Sequence, residues 1–386
     1  MKTCIFTSIA LNYLPKASVL AESVKARHPD IHFCLLVGEP VPDWLRDSTH
    51  PFDEVVSSDS LVPDRSWIFK HSIVEYCTAI KGQMLVNILE RGIFDNVFYF
   101  DPDTVLLDRI DRLIERFEIY SVLLTPHILD PEESDQAIRD NEIIALQHGV
   151  YNLGFLGVKN DTAGRRFAEW WRHRLTNYCR DDIPKGLFTD QRWVDLAVAY
   201  FPEIEIVRDA GCNVATWNLT HRTVEGSFDR GFTVNGNPLT FYHFSGFDSG
   251  NQLAMLQRYG NEAPALYELR RWYIDACAKH EASVPALGPW RYGFFDSGKT
   301  ISTSQRRVYR ERPDLQETFP DPFDDSGDKK GYRGWFERRS GDELLYENTI
   351  SADHLRRELE MIYRSRGWKL LTFLRTAKRR LSLWRA

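Results

Sequence analysis

The stretch Val97-Phe98-Tyr99-Phe100-Asp101-Pro102-Asp103-Thr104-Val105-Leu106-Leu107 decides how the rest of the chain is read. Its apolar opening has the pattern of a strand buried on both faces, as in a parallel sheet. The run then delivers two carboxylates one residue apart. In open α/β sheets the carboxyl ends of the strands are where ligands bind. Alternate residues of an extended segment point the same way, so Asp101 and Asp103 can face one hard cation while Pro102 stiffens the bend between them. Three readings compete at this point: a surface turn after a core strand, a metal clamp for a diphosphate, and an aspartate that attacks phosphorus.

The 386-residue chain has room for one large domain with an appendage, or for two domains. Its 11 Trp and 16 Tyr suit a cleft for sugar rings, and a net charge of −6 gives no reason to expect nucleic acid as a partner. Cys4, Cys34, Cys77, Cys179, Cys212 and Cys277 are scattered without C-x-x-C spacing, a pattern of reduced thiols in a cytoplasmic protein rather than of a disulfide frame or zinc site. The N-terminal apolar stretch is broken by Thr7, Ser8 and Asn12, so it reads as a first strand and not a signal sequence. No apolar run reaches transmembrane length.

Outward from the central stretch, strand and helix signals alternate. Cys4–Ile9, Ile31–Val37 and Val55-Val56 read as strands and Pro15–Arg27 as a helix, which implies a parallel sheet with right-handed crossovers. The loop after the first strand lacks G-x-G-x-x-G, which disfavours a dinucleotide cofactor. A helix over Ser72–Arg91, carrying Lys81 and ended by Gly92, leads into the central strand. Downstream come a short helix at Ile110–Phe117, a strand at Ser121–Thr125, a charged and mobile segment at Asp130–Asn141, and a Gly-interrupted strand at Val150–Val158. Asp161 caps the next helix, Asp190-Gln191 opens another, and Thr240–Phe247 is a strand carrying His243. Leu266–Glu281 is a helix, followed by a stretch rich in Gly, Pro, Arg and Asp. The last residues, Arg364 to Ala386, hold eight Lys or Arg and no acid, interleaved with Trp368, Phe373 and Trp384. Such a basic amphipathic tail fits the surface of an anionic membrane.

These motifs, in this order over about residues 1–250, resemble retaining nucleotide-sugar glycosyltransferases of the GT-A fold, especially glycosyltransferase family 8 and its bacterial envelope-polysaccharide relatives. The resemblance implies a Rossmann-like, mixed but mainly parallel α/β sheet flanked by helices, with a C-terminal extension. The expected division is a catalytic domain at 1–260, an appendage packed on it at 261–350, and the basic helical tail at 351–386.

By the same resemblance, Thr7, Ser8, Asn12 and Tyr13 form the nucleotide-base loop, and Lys81 lies beside the diphosphate. Asp101 and Asp103 match the D-x-D, and His243, in a His-x-x-Gly with Gly246, is the third metal ligand. Asn152 and Gly154 flank the donor sugar, while Asp190 and Gln191 orient sugar and acceptor as the candidate catalytic pair. Carboxylate and phosphate oxygens suit Mg²⁺ or Mn²⁺, and the imidazole favours Mn²⁺. The implied partners are a UDP- or GDP-sugar donor and a glycan or lipid-linked glycan acceptor, used at the inner face of the cytoplasmic membrane. Where the family carries Lys-Pro-Trp, this chain has Phe247-Asp248-Ser249-Gly250, which leaves Lys159, Arg222 or a residue beyond 260 to supply a second basic contact.

Two other functions fit part of the pattern. An aspartate-nucleophile phosphohydrolase of the HAD type would use Asp101 and Asp103, but its Asp-x-Asp strand normally opens the catalytic core, whereas here about ninety residues of α/β pattern precede it. A non-catalytic glycan-binding scaffold would not need Asp101, Asp103 and His243 intact.

Overall fold

Runs rich in β-branched and aromatic residues pair into one central sheet. The strands that position the site are β1 (Thr3–Ile9), β2 (His32–Val37), β3 (Glu54–Ser57), β4 (Asn96–Phe100), β5 (Thr104–Leu106), β6 (Val122–Pro126), β7 (Tyr151–Lys159), β8 (Ile204–Ile206) and β9 (Phe241–His243). Seven of these form the sheet, in the order β8-β6-β7-β4-β1-β2-β3. β1 is parallel to β2 and β4, β2 to β3, and β8 to β6, while β7 runs antiparallel between β4 and β6. The sheet is therefore mixed and mainly parallel, as expected. This computed structural model describes residues 1–326 and 331–339. The basic tail expected at 351–386 lies outside the described residues.

Helices cover the sheet: α1 (Leu14–Arg27), α2 (Ile73–Glu90), α3 (Thr162–Tyr178), α4 (Gln191–Tyr200), α5 (Asn251–Tyr259) and α6 (Pro264–Ser283). α2 starts at a full capping box, Ser72 Oγ accepting from Glu75 N while Glu75 returns the bond to Ser72 N. It packs on α3 so tightly that a Cβ on Gly82 would lie 2.8 Å from Arg172 Cα. α3 is capped by Asp161, which accepts from Gly164 N at 2.8 Å.

The central stretch divides at its acids. β4 is fully buried and stays in the main sheet. The chain then turns at Asp101-Pro102-Asp103, closed by Thr104 N donating to Asp101 O at 3.0 Å. β5 leaves the sheet and pairs antiparallel with β9, setting His243 opposite Thr104. The expected strand at Thr240–Phe247 is thus confined to three residues, because Gly246, at φ 73°, turns the chain toward α5.

Glycines inside β7 allow close packing. A Cβ at Gly157 would sit 2.9 Å from the Phe98 ring and 3.0 Å from that of Phe117. The charged segment expected to be mobile at Asp130–Asn141 instead enters a continuous helical run from Asp135 to His148, with a π turn at Ile138–Glu142. Its charges find partners: Asn141 donates to Glu132 at 2.5 Å, Thr220 donates to the same carboxylate at 2.7 Å, and Tyr259 donates to Asp140 at 2.8 Å.

Two compact units emerge, one spanning Met1–Glu311 and one starting at Arg312. Residues 261–311 thus belong with the sheet; α6 packs on α1. In the second unit Leu315, Phe323, Tyr332 and Phe336 are buried, and Arg333 pairs with Asp325 at 2.7 Å. Among the described residues no helix is long and apolar enough to cross a membrane.

Candidate active site

A cleft of about 950 Å³ opens at the carboxyl ends of β1 and β4. Asp101, Asp103 and His243 meet in it. The imidazole Nε2 stands 3.1 Å from Asp103 Oδ1 and 3.7 Å from Asp101 Oδ2. One donor atom from each of the three residues lies within 4.8 Å of the others, so the set fits a single divalent cation with two carboxylate oxygens and one imidazole nitrogen. Burial pushes the His243 pKa down, but Asp103 and Asp101 outweigh it and the net shift is upward. For Asp103 burial acts upward, and His243 and Lys16 reverse it to a net lowering.

Lys81, reaching in from α2, is 6% exposed and bridges two carboxylates: its Nζ lies 3.2 Å from Asp101 Oδ1 and 3.1 Å from Asp190 Oδ2. Tyr99 Oη also donates to Asp101 Oδ1, at 2.5 Å, and presents its ring 4.2 Å from the ammonium. Burial opposes the charge on Lys81, but Asp101 and Asp190 hold its pKa well above the ordinary lysine value. Asp190 moves upward overall, chiefly through burial, although Lys81 pulls the other way. Thr189 enters this turn with φ 42°, unusual for a β-branched residue, and donates to Asp190 at 3.2 Å.

The Gln191 amide fastens neighbouring backbone. Its Oε1 accepts from Leu153 N at 3.1 Å, and its Nε2 donates to His148 O at 3.0 Å. Asn152 lies alongside, its Oδ1 accepting from Gly154 N at 3.0 Å and from Asn213 Nδ2 at 3.1 Å. Its Nδ2 lies 3.2 Å from His127 Nε2. Burial holds the His127 pKa down at about 4, so at neutral pH the ring is uncharged and Nε2 accepts from the Asn152 amide.

Of the residues expected from the sequence, Ser8, Asn12, Tyr13, Lys81, Asp101, Asp103, Asn152, Asp190, Gln191, His243 and Gly246 line this cleft together. Thr7 does not: β1 continues through Ile9, and Thr7 is fully buried within that strand. Ser8 borders the cleft, its hydroxyl donating to Cys77 O at 2.7 Å. Gly154 acts by its lack of a side chain, since a Cβ there would fall 2.3 Å from His243 Cε1.

Neither suggested second cation reaches the cleft. Lys159 pairs in register with Asn96 at the opposite end of β4, and Arg222 is buried with its guanidinium donating to Cys212 O and Asn213 O at 3.0 and 3.1 Å. Sequence reasoning missed Tyr99, although its place two residues before Asp101 on one strand face was a usable signal. It also missed His127 and Trp217, whose ring stands edge-on to His243 at 5.4 Å. His32, Cys34 and Glu54 form another grouping of metal-ligand type, but there Arg91 already donates to Glu54 at 2.7 Å.

No family model matches the chain. It is 31% identical over 225 residues to the uncharacterized protein YfnF of Bacillus subtilis (strain 168), covering 57% of this chain and 72% of YfnF. The chain belongs to the family of that protein. It is also 27% identical to YfnD of the same organism over 214 residues, covering 51% of this chain and 65% of YfnD. Among solved structures it is similar to the galactosyltransferase LgtC in complex with donor and acceptor sugar analogs, at 15% identity over 74% of this chain and 97% of that one, with a TM-score of 0.38. Mouse xyloside xylosyltransferase 1 gives 15% identity over 63% of this chain and 97% of that one, also with a TM-score of 0.38. At that level of superposition the fold rests on the strand order described above.

Proposed function

We propose that the protein is a metal-dependent, retaining glycosyltransferase that moves a sugar from a nucleoside-diphosphate donor to a glycan or glycolipid acceptor in bacterial surface-polysaccharide synthesis. The observation that carries this reading is the convergence of Asp101, Asp103 and His243 on one side of a cleft whose floor is the Asp101–Lys81–Asp190 chain of charges. Asp101, Asp103 and His243 would hold Mn²⁺ or Mg²⁺, which would supply positive charge to offset the charge developing on the leaving diphosphate. Lys81 adds a fixed ammonium on the floor of the same cleft.

Transfer breaks the bond between the anomeric carbon and the diphosphate oxygen and forms one to an acceptor hydroxyl, whose proton passes to the departing phosphate. Attack on the same face retains the donor's configuration. Asp190 faces the sugar with a carboxylate fixed by Lys81. Gln191 is a positioning residue, since its carbonyl oxygen already accepts from backbone and is a poor nucleophile. The basic residues of 364–386 bring the enzyme to the anionic inner face of the cytoplasmic membrane, where a lipid-linked acceptor resides.

A panel of UDP- and GDP-sugars with Mn²⁺, read by mass spectrometry of hydrolysed or transferred sugar, tests the assignment. Release of one sugar in a Mn²⁺-dependent manner is expected. Release of inorganic phosphate from phosphomonoesters, with no nucleotide-sugar turnover, would overturn it. Loss of liposome binding on deletion of 364–386 tests the membrane contact.

A further inference from the structure

Beside the cleft, a second buried cation is paired with an exposed anion. Lys16, in the first turn of α1, is 8% exposed, and its Nζ donates to Asp248 Oδ2. Tyr13 Oη donates to the same oxygen at 2.6 Å. The ammonium sits 4.1 Å from the centre of the Tyr13 ring and 5.6 Å from that of Phe247, so aromatic faces hold it in place. Asp248 itself is half exposed, with 53% of its side chain open to solvent. A buried ammonium and a phenol hydroxyl thus converge on one carboxylate oxygen supplied from outside.

That pair of donors adjoins the candidate metal centre. Tyr13 lines the cleft together with Asp101 and Asp103. Of the other cations of this region, Lys81 lies between Asp101 and Asp190, Arg258 donates to Asp140, Arg270 donates to Gln252 with its guanidinium 5.3 Å from the centre of the Phe247 ring, and Arg139, which also lines the cleft, donates to Gln136 at 3.4 Å.

The segment carrying Asp248 is short and has a glycine at each end. It joins β9 to α5 and is bracketed by Gly246 and Gly250, at φ 73° and 79°. Both lie in a region that glycine enters without steric cost, and glycine populates negative φ as readily, so a turn of the backbone at either point meets no Cβ clash. Phe247 and Asp248 lie between these two points.

Resting on the glycosyltransferase reading above, we propose that Lys16 and Tyr13 form the second anion seat for the donor diphosphate, and that Asp248 occupies this seat until a phosphate oxygen displaces it. The carboxylate and a phosphate oxygen offer the same acceptor chemistry to the same two donors, so they compete. The chain thereby supplies from α1 the basic contact that its segment after His243 lacks. Asp248 sets the affinity for donor and product, because part of the binding free energy goes into breaking its contacts with Lys16 and Tyr13.

The test is calorimetric titration of the full chain with UDP and GDP, and with UMP and GMP, in the presence of Mn²⁺. Lys16→Met is expected to weaken binding of the preferred diphosphate tenfold or more, while changing that of the matching monophosphate less than threefold. Asp248→Ala is expected to tighten diphosphate binding threefold or more, the opposite sign. Losses of equal size for diphosphate and monophosphate in both variants, or no change in either, would show the ion pair to be only a strap between α1 and the loop and would overturn the proposal. If Lys16→Met does not fold, Asp248→Ala decides alone: tighter diphosphate binding supports the competition and unchanged or weaker binding rejects it. Failure of the unsubstituted protein to bind either diphosphate would overturn both this proposal and the transferase reading, whereas normal binding with unaltered variants removes only this one.

Discussion

Gly154 packs against His243 with no room for a side chain: a Cβ on Gly154 would fall 2.3 Å from imidazole Cε1 and 2.7 Å from Nδ1. The glycine in β7 is therefore the space in which the imidazole of His243, the proposed third ligand, sits. Gly154→Ala should displace the imidazole, with an overpacking cost of about 1–3 kcal/mol. Mn²⁺ titration should show the loss, as the shifted Nε2 no longer joins the two carboxylates, while the fold persists by circular dichroism.

Lys81 links the metal carboxylates to the candidate catalytic pair. Lys81→Met leaves Asp101 and Asp190 without their shared cation, and breaking a buried ion pair this way costs on the order of 3–5 kcal/mol. A double substitution, Lys81→Met with Asp190→Asn, should recover about 1–3 kcal/mol of that loss, because the fully buried charge is removed together with its partner. Denaturant melts of the four proteins in the cycle check both numbers. Additive losses would mean that the two residues are not energetically coupled.

Asp103 tests the metal directly. Asp103→Asn keeps the shape and removes the charge, so Mn²⁺-stimulated sugar release should fall about a hundredfold or more. The comparison to make is turnover with Mn²⁺ against turnover in chelator, since the substitution should abolish the difference between them.

The pH dependence of stability should carry the mark of His71, far from these ligands. His71 is 4% exposed, its ring lies tilted with its centre 4.3 Å from that of Trp67, and its Nδ1 is 2.9 Å from Trp67 O. Burial, helped by Arg310 and Lys70, depresses its pKa to about 4 against the upward pull of Glu75. Because the folded value lies below the unfolded one, the unfolded chain binds the proton more readily. This contribution is fully present above about pH 6.5 and is lost as pH falls from there toward 4, a change on the order of 3 kcal/mol. His71→Phe should flatten the wild-type stability profile across that window.

Much of the site was legible because its chemistry is written in short spacings. Asp101 and Asp103 at i and i+2 announce themselves locally, whereas Asp190-Gln191 at a helix start read locally as a cap and was singled out only by the family resemblance. The apolar runs by themselves pointed to a parallel sheet, and its mixed character was implied only by the family resemblance. What local pattern could not carry was partnership across the chain. Nothing near residue 104 signals that β5 leaves the sheet to pair with β9, nor that Lys81 will be held by two carboxylates from different loops. Thr7 was misplaced because strand alternation, and not loop position, fixes which way it faces. The helical run through Asp135–His148 was hidden because its stabilising partners, Thr220, Arg258 and Tyr259, lie far downstream.

The β5–β9 pairing also has a consequence for how the protein is made. Asp101 and His243 are separated by 243 − 101 = 142 positions. A nascent chain leaving the ribosome can assemble strands β1 to β8 before the third ligand has been translated. Until that last short ladder closes, the two acids lack the nitrogen donor that completes the set. On the proposed metal reading, full metal affinity would appear only once synthesis has passed β9, and a product truncated earlier would offer the ion two acids without the imidazole.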